Sequence, residues 1–428
     1  MRMWTAALLV GAVALVSSCS SGQDGRAEDK AAAEPGVHLL DDFPLAQRSG
    51  PAFVWTGDRV FVWGGATVED DDSSDRTSLG DGAVLLPSRE WQQLPKSPYP
   101  HGLYRPAAAW DGTEVIIVGS DCDESIPPNT TGEPPRCDAP AGLAWNPADG
   151  QWRRLPAPPI PVDPDSGQAV LRWGGTAVGG EGRALFVDDR SGVTLVWDRE
   201  SEGWATVPSP TGGPVMSCGD PTQPWIVAQS APKGAGAADV RLWTIRPTGN
   251  EPAVWSDGVE PQAAADPTTC GAGFVVGSIG FGVRLIDVGT GVASSIPVPQ
   301  GDEAATPSGD VPSGEPVTTS ASLVGWWLFT TTAMPLAPLP TTTPDPATQA
   351  NPGPGPTLSP PVNWSSPLRS VRLAPDSDAV PFDEEEFNLL AWARTVAATD
   401  RGIVACDLRE NLTCKEWVAP KELGPPRR

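Results

Sequence analysis

Both tyrosines of the chain and one of its two histidines fall in one short run, Tyr99-Pro-His101-Gly-Leu-Tyr104-Arg105. A phenol, an imidazole and a guanidinium this close together could offer donors, a cation and aromatic faces to a single ligand. The plainer reading is a connection that packs between two elements, and both readings stay open. The second cluster is Glu69-Asp-Asp-Asp-Ser-Ser-Asp75. Calcium takes about six to eight oxygens, so Asp70, Asp71, Asp72 and Asp75 could hold it weakly. The stretch lacks the ligand alternation and the glycine of an EF-hand loop, and a solvated acidic loop is the expectation. Asp163-Pro-Asp-Ser-Gly167 is shorter and weaker. No cofactor and no other metal are expected.

Seven cysteines divide into one and six. Arg2 and the apolar stretch Thr5–Val16, too short to span a bilayer, lead into Val16-Ser17-Ser18-Cys19. This start resembles a bacterial lipoprotein signal, which implies cleavage before Cys19 and lipidation of its thiol and amine. Residues 1–18 then form the signal peptide, and 19–36, small, polar and acidic, a flexible tether. The expected address is the extracytoplasmic face of the cell membrane, with the lipid anchor as the membrane contact. The remaining six cysteines are an even set in an oxidising compartment, and their spacing suggests the pairs Cys122–Cys137, Cys218–Cys270 and Cys406–Cys414. With no C-x-x-C and only two histidines, a zinc site is improbable.

No P-loop, G-x-S-x-G elbow, H-E-x-x-H or sialidase-like Ser-x-Asp box occurs. Carboxylate pairs could support glycoside hydrolysis, but 53 acidic residues select no particular pair. Catalytic residues are therefore unassigned.

The elements that must carry these side chains are short strands. Ala52–Trp55 and Arg59–Trp63 flank the turn Thr56-Gly57-Asp58, and Gly64-Gly65 stops the second strand. A third strand, a polar turn and a fourth strand follow, the last read as Trp91-Gln-Gln-Leu-Pro95. Trp152-Arg-Arg-Leu-Pro156 and Trp204-Ala-Thr-Val-Pro208 repeat that ending, and Trp255 and Trp417 are read as the same fourth-strand residue. Seven such units can be counted, and the tryptophans read as core packing and a repeat marker.

Four strands per unit, a di-glycine closing the second and Trp-x-x-Leu-Pro in the fourth resemble the kelch-type β-propeller. The resemblance covers most of residues 37–420. It implies an all-β, seven-bladed propeller of four-stranded antiparallel blades, a single domain over 37–428 with a Pro/Thr-rich disordered insertion at about 333–367. Some such propellers resemble the copper enzyme galactose oxidase. Here the only other histidine is His38 and both tyrosines share one run, so no copper cage is expected. The propeller places the long b–c and d–a connections, including Ser97–Arg105, on one face, where binding usually sits. Residues 37–44 look like a fourth strand that closes the ring on the last blade, unless Lys415–Pro420 already fills that place.

A net charge of −24 argues against nucleic acid and anionic lipid surfaces as partners. The expected function is a membrane-anchored binding or scaffolding module acting through its loop face, with a protein or glycan ligand. The alternative is a propeller enzyme, a hydrolase or lyase of glycans or cell-wall polymers.

Overall fold

The computed structural model describes residues 34–67, 77–121, 139–159, 177–187, 194–207, 290, 292–295, 395–399 and 401–420, and the backbone of the further strands given below. All described strands belong to the unit Pro35–Arg428.

The first strands are β1 (Gly36–Leu39) and β2 (Arg48–Ser49). β3 (Ala52–Trp55) and β4 (Val60–Trp63) form as the sequence reads, around a turn in which the Thr56 N–H donates to the Arg59 carbonyl at 2.9 Å. Gly64 and Gly65 follow with φ of 73° and 89°. A Cβ on Gly65 would sit 2.9 Å from the Ser49 carbonyl oxygen, so conformation and space both require glycine. β5 (Ala66–Thr67) pairs with β2. β6 (Gly82–Leu85) and β7 (Trp91–Gln93) complete the sheet β3-β4-β6-β7.

The next sheets repeat this meander. β8 (Tyr104–Trp110), β9 (Val115–Asp121), β10 (Ala139–Asn146) and β11 (Gln151–Leu155) form one. β12 (Ala177–Gly180), β13 (Arg183–Val187), β14 (Thr194–Asp198) and β15 (Gly203–Val207) form another. Then come β16 (Val215–Cys218), β17 (Trp225–Gln229), β18 (Arg241–Thr248) and β19 (Glu251–Ser256), followed by β20 (Asp266–Gly271), β21 (Phe274–Ile279), β22 (Gly282–Asp287) and β23 (Ala293–Ser295). β24 (Val317–Val324), β25 (Trp327–Ala333), β26 (Leu368–Leu373) and β27 (Val380–Pro381) precede the last strands, β28 (Thr395–Ala398), β29 (Gly402–Asp407) and β30 (Thr413–Val418). Side chains are described in five of the four-stranded sheets and in the pair β2–β5; for β16–β19 and β24–β27 the description stops at the backbone.

The last sheet takes its fourth strand from the start of the chain. β1 pairs with β30 from Gly36↔Val418 to Leu39↔Lys415. The expected closure by the N-terminal segment is therefore present over 36–39, one residue earlier than read and ending before 40–44. It also corrects one expectation: Trp417 lies on the third strand of its sheet, and no fourth-strand Trp exists there. A run that ends in Trp and Pro looks alike on either strand, and only the distant pairing partner tells them apart.

First strands of successive sheets neighbour one another: β3 with β8, β8 with β12, β12 with β16, β16 with β20, β20 with β24, β24 with β28, and β28 with β3. The chain is an all-β propeller of antiparallel four-stranded sheets. Its core lies between sheets. Val60 and Val62 face the last sheet with Val404, Cys406 and Cys414, while Phe61 and Trp63 face the second with Ile117, Leu143 and Trp145. Period-two alternation thus divides one fully buried strand between two neighbours, each large side chain contributing about 1.5–3 kcal/mol.

Candidate functional site

The connection from β7 to β8 is built as a rigid shelf on the face of the b–c and d–a connections, called the loop face below. Gly102 has φ 75°, and the Leu79 carbonyl occupies the place its Cβ would need. Gly80 meets the Tyr99 and Pro100 carbonyls in the same way. Only Cβ-less residues allow the connection to lie this close to 79–81. The Ser97 hydroxyl is 2.7 Å from the Tyr99 carbonyl oxygen and 3.2 Å from that of Gly80, and Leu103 is fully buried. From the next sheet, Trp152 Nε1 donates to Pro95 O at 2.9 Å and Arg154 Nη2 to Pro98 O at 2.8 Å.

On this shelf the four predicted residues separate into two stacks and a tip. Tyr99 is half-buried beneath Arg154, whose guanidinium carbon is 4.6 Å from the ring centroid. Burial pushes the Tyr99 phenol up, Arg154 opposes that and Asp121 adds to it. Tyr104 opens β8 opposite Ser120, and the exposed Arg105 lies over its ring at 5.3 Å. His101 is exposed at the turn between them. The structure thus does not gather the four into one cage. It holds a phenol under a guanidinium twice, and Arg154, which the sequence reading passed over, is one of the two cations. Its only sequence signal was its place inside Trp152-Arg-Arg-Leu-Pro156.

The opposite face, formed by the short a–b and c–d turns, carries charges that sequence reasoning did not single out. Glu114 receives Arg153 through two hydrogen bonds of 2.6 and 3.1 Å. That bond is the first cause of the raised Arg153 pKa. Fully buried Asp111 accepts the N–H groups of Thr113 and Glu114 and, from the next sheet, Arg199 Nη1 at 3.2 Å. Arg89 reaches Glu416 of the last sheet at 2.7 Å. The last two pairs join neighbouring sheets while the first lies within one, and all three read as structural clamps.

Of the cysteines, Cys406 and Cys414 form a disulfide across directly paired positions of β29 and β30. Cys218 lies on β16 and Cys270 on β20, at backbone level. Cys19, Cys122, Cys137, Asp70, Asp71, Asp72 and Asp75 lie outside the described residues, as does the insertion beyond Ala333. Among the described residues no group of three His, Cys, Asp or Glu side chains is placed to hold a metal. What the shelf can do chemically is bind: it presents a guanidinium, an imidazole and two aromatic rings on a fixed backbone.

No protein-family model matches the chain, and no curated protein matches it. Among solved structures, that of YjhT is similar over 80% of this chain and 99% of its own, at 9% identity and a TM-score of 0.39.

Proposed function

We propose that this chain is an extracytoplasmic, lipid-anchored, seven-bladed kelch-like propeller that binds a protein or glycan partner through its loop face. The observation that carries the binding reading is the shelf 97–103, ordered by glycine contacts and by Trp152 and Arg154 while His101 and Arg105 stay exposed. Loops on a rigid scaffold are where recognition concentrates, because ordering them before contact lowers the entropy cost of binding. The di-glycine Gly64-Gly65 and the repeated Trp-x-x-Leu-Pro support the kelch likeness, and the order of first strands, with β28 beside β3, supports the count of seven. Cys19 after the apolar run supports the anchor.

A photo-crosslinking residue at His101, compared with one at exposed Asp149 on the turn face, tests the reading in membranes of the native host. A discrete adduct from position 101 and none from 149 is expected. Equal labelling from both, or none from 101, overturns it. Mass spectrometry of the mature N-terminus, with and without globomycin, tests the anchor independently.

A further inference from the structure

Among the described residues, five non-glycine positions have positive φ: Arg89, Arg105, Glu181, Glu202 and Leu412. Four of these lie in turns or connections between strands; Arg105, with φ 50°, lies within β8. A side chain with a Cβ is strained in that region, and Pro106 directly after it narrows the choices of Arg105 further. Nine described glycines show that this chain uses glycine where positive φ is needed. At 105 it has kept arginine.

The local structure shows what the strain holds in place. The β8–β9 register shifts between Tyr104 and Ala107, a bulge that re-aims a side chain at the loop-face end of the strand. β8 is a first strand, flanked by the first strands β3 and β12, so Arg105 stands where the loop face meets the inner layer of the ring. Its guanidinium lies over the Tyr104 ring, and among the described residues no carboxylate pairs with it. In a chain of net charge −24, an exposed arginine in a strained conformation with no acid beside it among the described residues has the form of a binding group.

The geometry points to Arg105 as the anchor for an oxyanion, a carboxylate or phosphate group, of the ligand bound at the loop face; this inference rests on the binding reading above. The guanidinium fork matches two oxygens of such a group, and the aromatic ring beneath it limits the freedom lost when they meet. Strain at 105 is then the counterpart of a fixed guanidinium direction.

The test uses the mature propeller with ¹⁵N-labelled arginine, titrated separately with acetate and inorganic phosphate, and the variants Arg105→Gly and Arg105→Gln. The Arg105 Nε–H resonance, identified by its loss in Arg105→Gln, is expected to shift saturably with at least one anion. Saturation with acetate alone identifies a carboxylate ligand, and with phosphate alone a phosphate. Arg105→Gly is expected to raise the melting temperature by about 1–2 °C, because glycine relieves the strain. No saturable shift with either anion overturns the inference, as does a lower melting temperature in Arg105→Gly, which would make Arg105 a packing residue. Crosslinking from position 101 in Arg105→Gln separates the two readings. An adduct as strong as in the parent retains the binding face and rejects Arg105 as anchor, whereas no adduct in the parent rejects the binding face itself.

Discussion

Asp111 has no exposed surface, yet one of its carboxylate oxygens, Oδ2, has no hydrogen-bond partner among the described residues. Burial raises its pKa above the usual carboxylate value, against the N–H groups of Glu114 and Thr113 and the charge of Arg199. An acid with a raised folded pKa keeps its proton in the folded state over a range where the unfolded chain has released it. Its stabilising contribution is therefore complete below the unfolded pKa and is lost as pH rises through the folded one. Asp111→Asn keeps the acceptor for both N–H groups and cannot ionise. In urea titrations between about pH 3 and 7, the parent is expected to lose stability relative to Asp111→Asn as pH rises; the opposite slope rejects this account. Asp58 and Asp198 carry the reverse sign. The Arg59 hydrogen bond lowers the first, and in the second burial is outweighed by Arg183 and the backbone donors of Ser201 and Glu200. Their contributions are present above the unfolded pKa and fade as pH falls through the folded one. Asp58 is half exposed and Asp198 partly exposed, so screening keeps both contributions small. The position itself was partly legible, since Trp110-Asp-Gly-Thr-Glu mirrors Trp55-Thr-Gly-Asp-Arg. Thr399 accepts with its hydroxyl where Asp111 accepts with a carboxylate, whereas the Thr56 hydroxyl donates to Arg59 O. What the repeat could not reveal was Arg199, 88 residues away.

At the scale of the strand, Trp-x-x-Leu-Pro proves to be a relation between neighbours. Trp152 Nε1 donates to Pro95 O, which ends the preceding fourth strand, and Trp204 Nε1 donates to Pro156 O at 2.8 Å. Two residues after each Trp, a second donor meets the connection beyond that proline: Arg154 at Pro98 O and Thr206 at Pro159 O. Gln93 does the same at Pro44 O, although β1 supplies no such motif, and the buried indole nitrogen of Trp91 has no partner among the described residues. Trp91 instead packs edge-on against Phe43, with ring centroids 5.0 Å apart. Trp152→Phe keeps an aromatic ring beside Phe61 and Trp63 but removes the donor along with part of the indole, so a loss of at least about 0.5–1.5 kcal/mol is expected in chemical denaturation. Trp91→Phe, which has no such bond to lose, should cost less. Equal losses would mean the ring, and not the N–H, is what matters. Sequence reasoning read these tryptophans as packing because the motif lies within one unit while its acceptor lies in the one before. The strands themselves were legible, since turn glycines and β-branched runs are local signals. The Tyr99–Arg154 stack was not, because 55 positions separate its members.

Closure of the ring joins the two ends of the unit Pro35–Arg428. Beyond the β1–β30 pairing, the Arg48 N–H donates to Leu408 O at 2.8 Å and Gln47 Nε2 to Glu410 O at 2.7 Å. Arg48 is itself buried, bonded to Gly64 O and to the Asp81 carboxylate, so one residue binds the last sheet to the first. Cys406–Cys414 fastens the hairpin that supplies those carbonyls, but its short loop limits the unfolded chain only modestly, by about 2.5 kcal/mol in the loop-entropy model. A larger tie is expected elsewhere in the ring. Cys218 ends β16, opposite Ile226, and Cys270 lies in β20, opposite Val275. Both are first strands, and β16 and β20 are neighbours. A disulfide between them would bridge two sheets and close a loop of 52 residues, worth about 4 kcal/mol in the same model. The sheet begun by β20 has Ala293–Ser295 as its fourth strand and so lacks the tryptophan latch, which makes it one where a covalent tie would offset weaker packing. Non-reducing peptide mapping of the mature protein should recover Cys218 linked to Cys270. Replacing both with serine should lower the denaturation midpoint more than replacing Cys406 and Cys414. A free thiol at either position, or a link from either to Cys122 or Cys137, would show that adjacency of β16 and β20 does not bring these two side chains together.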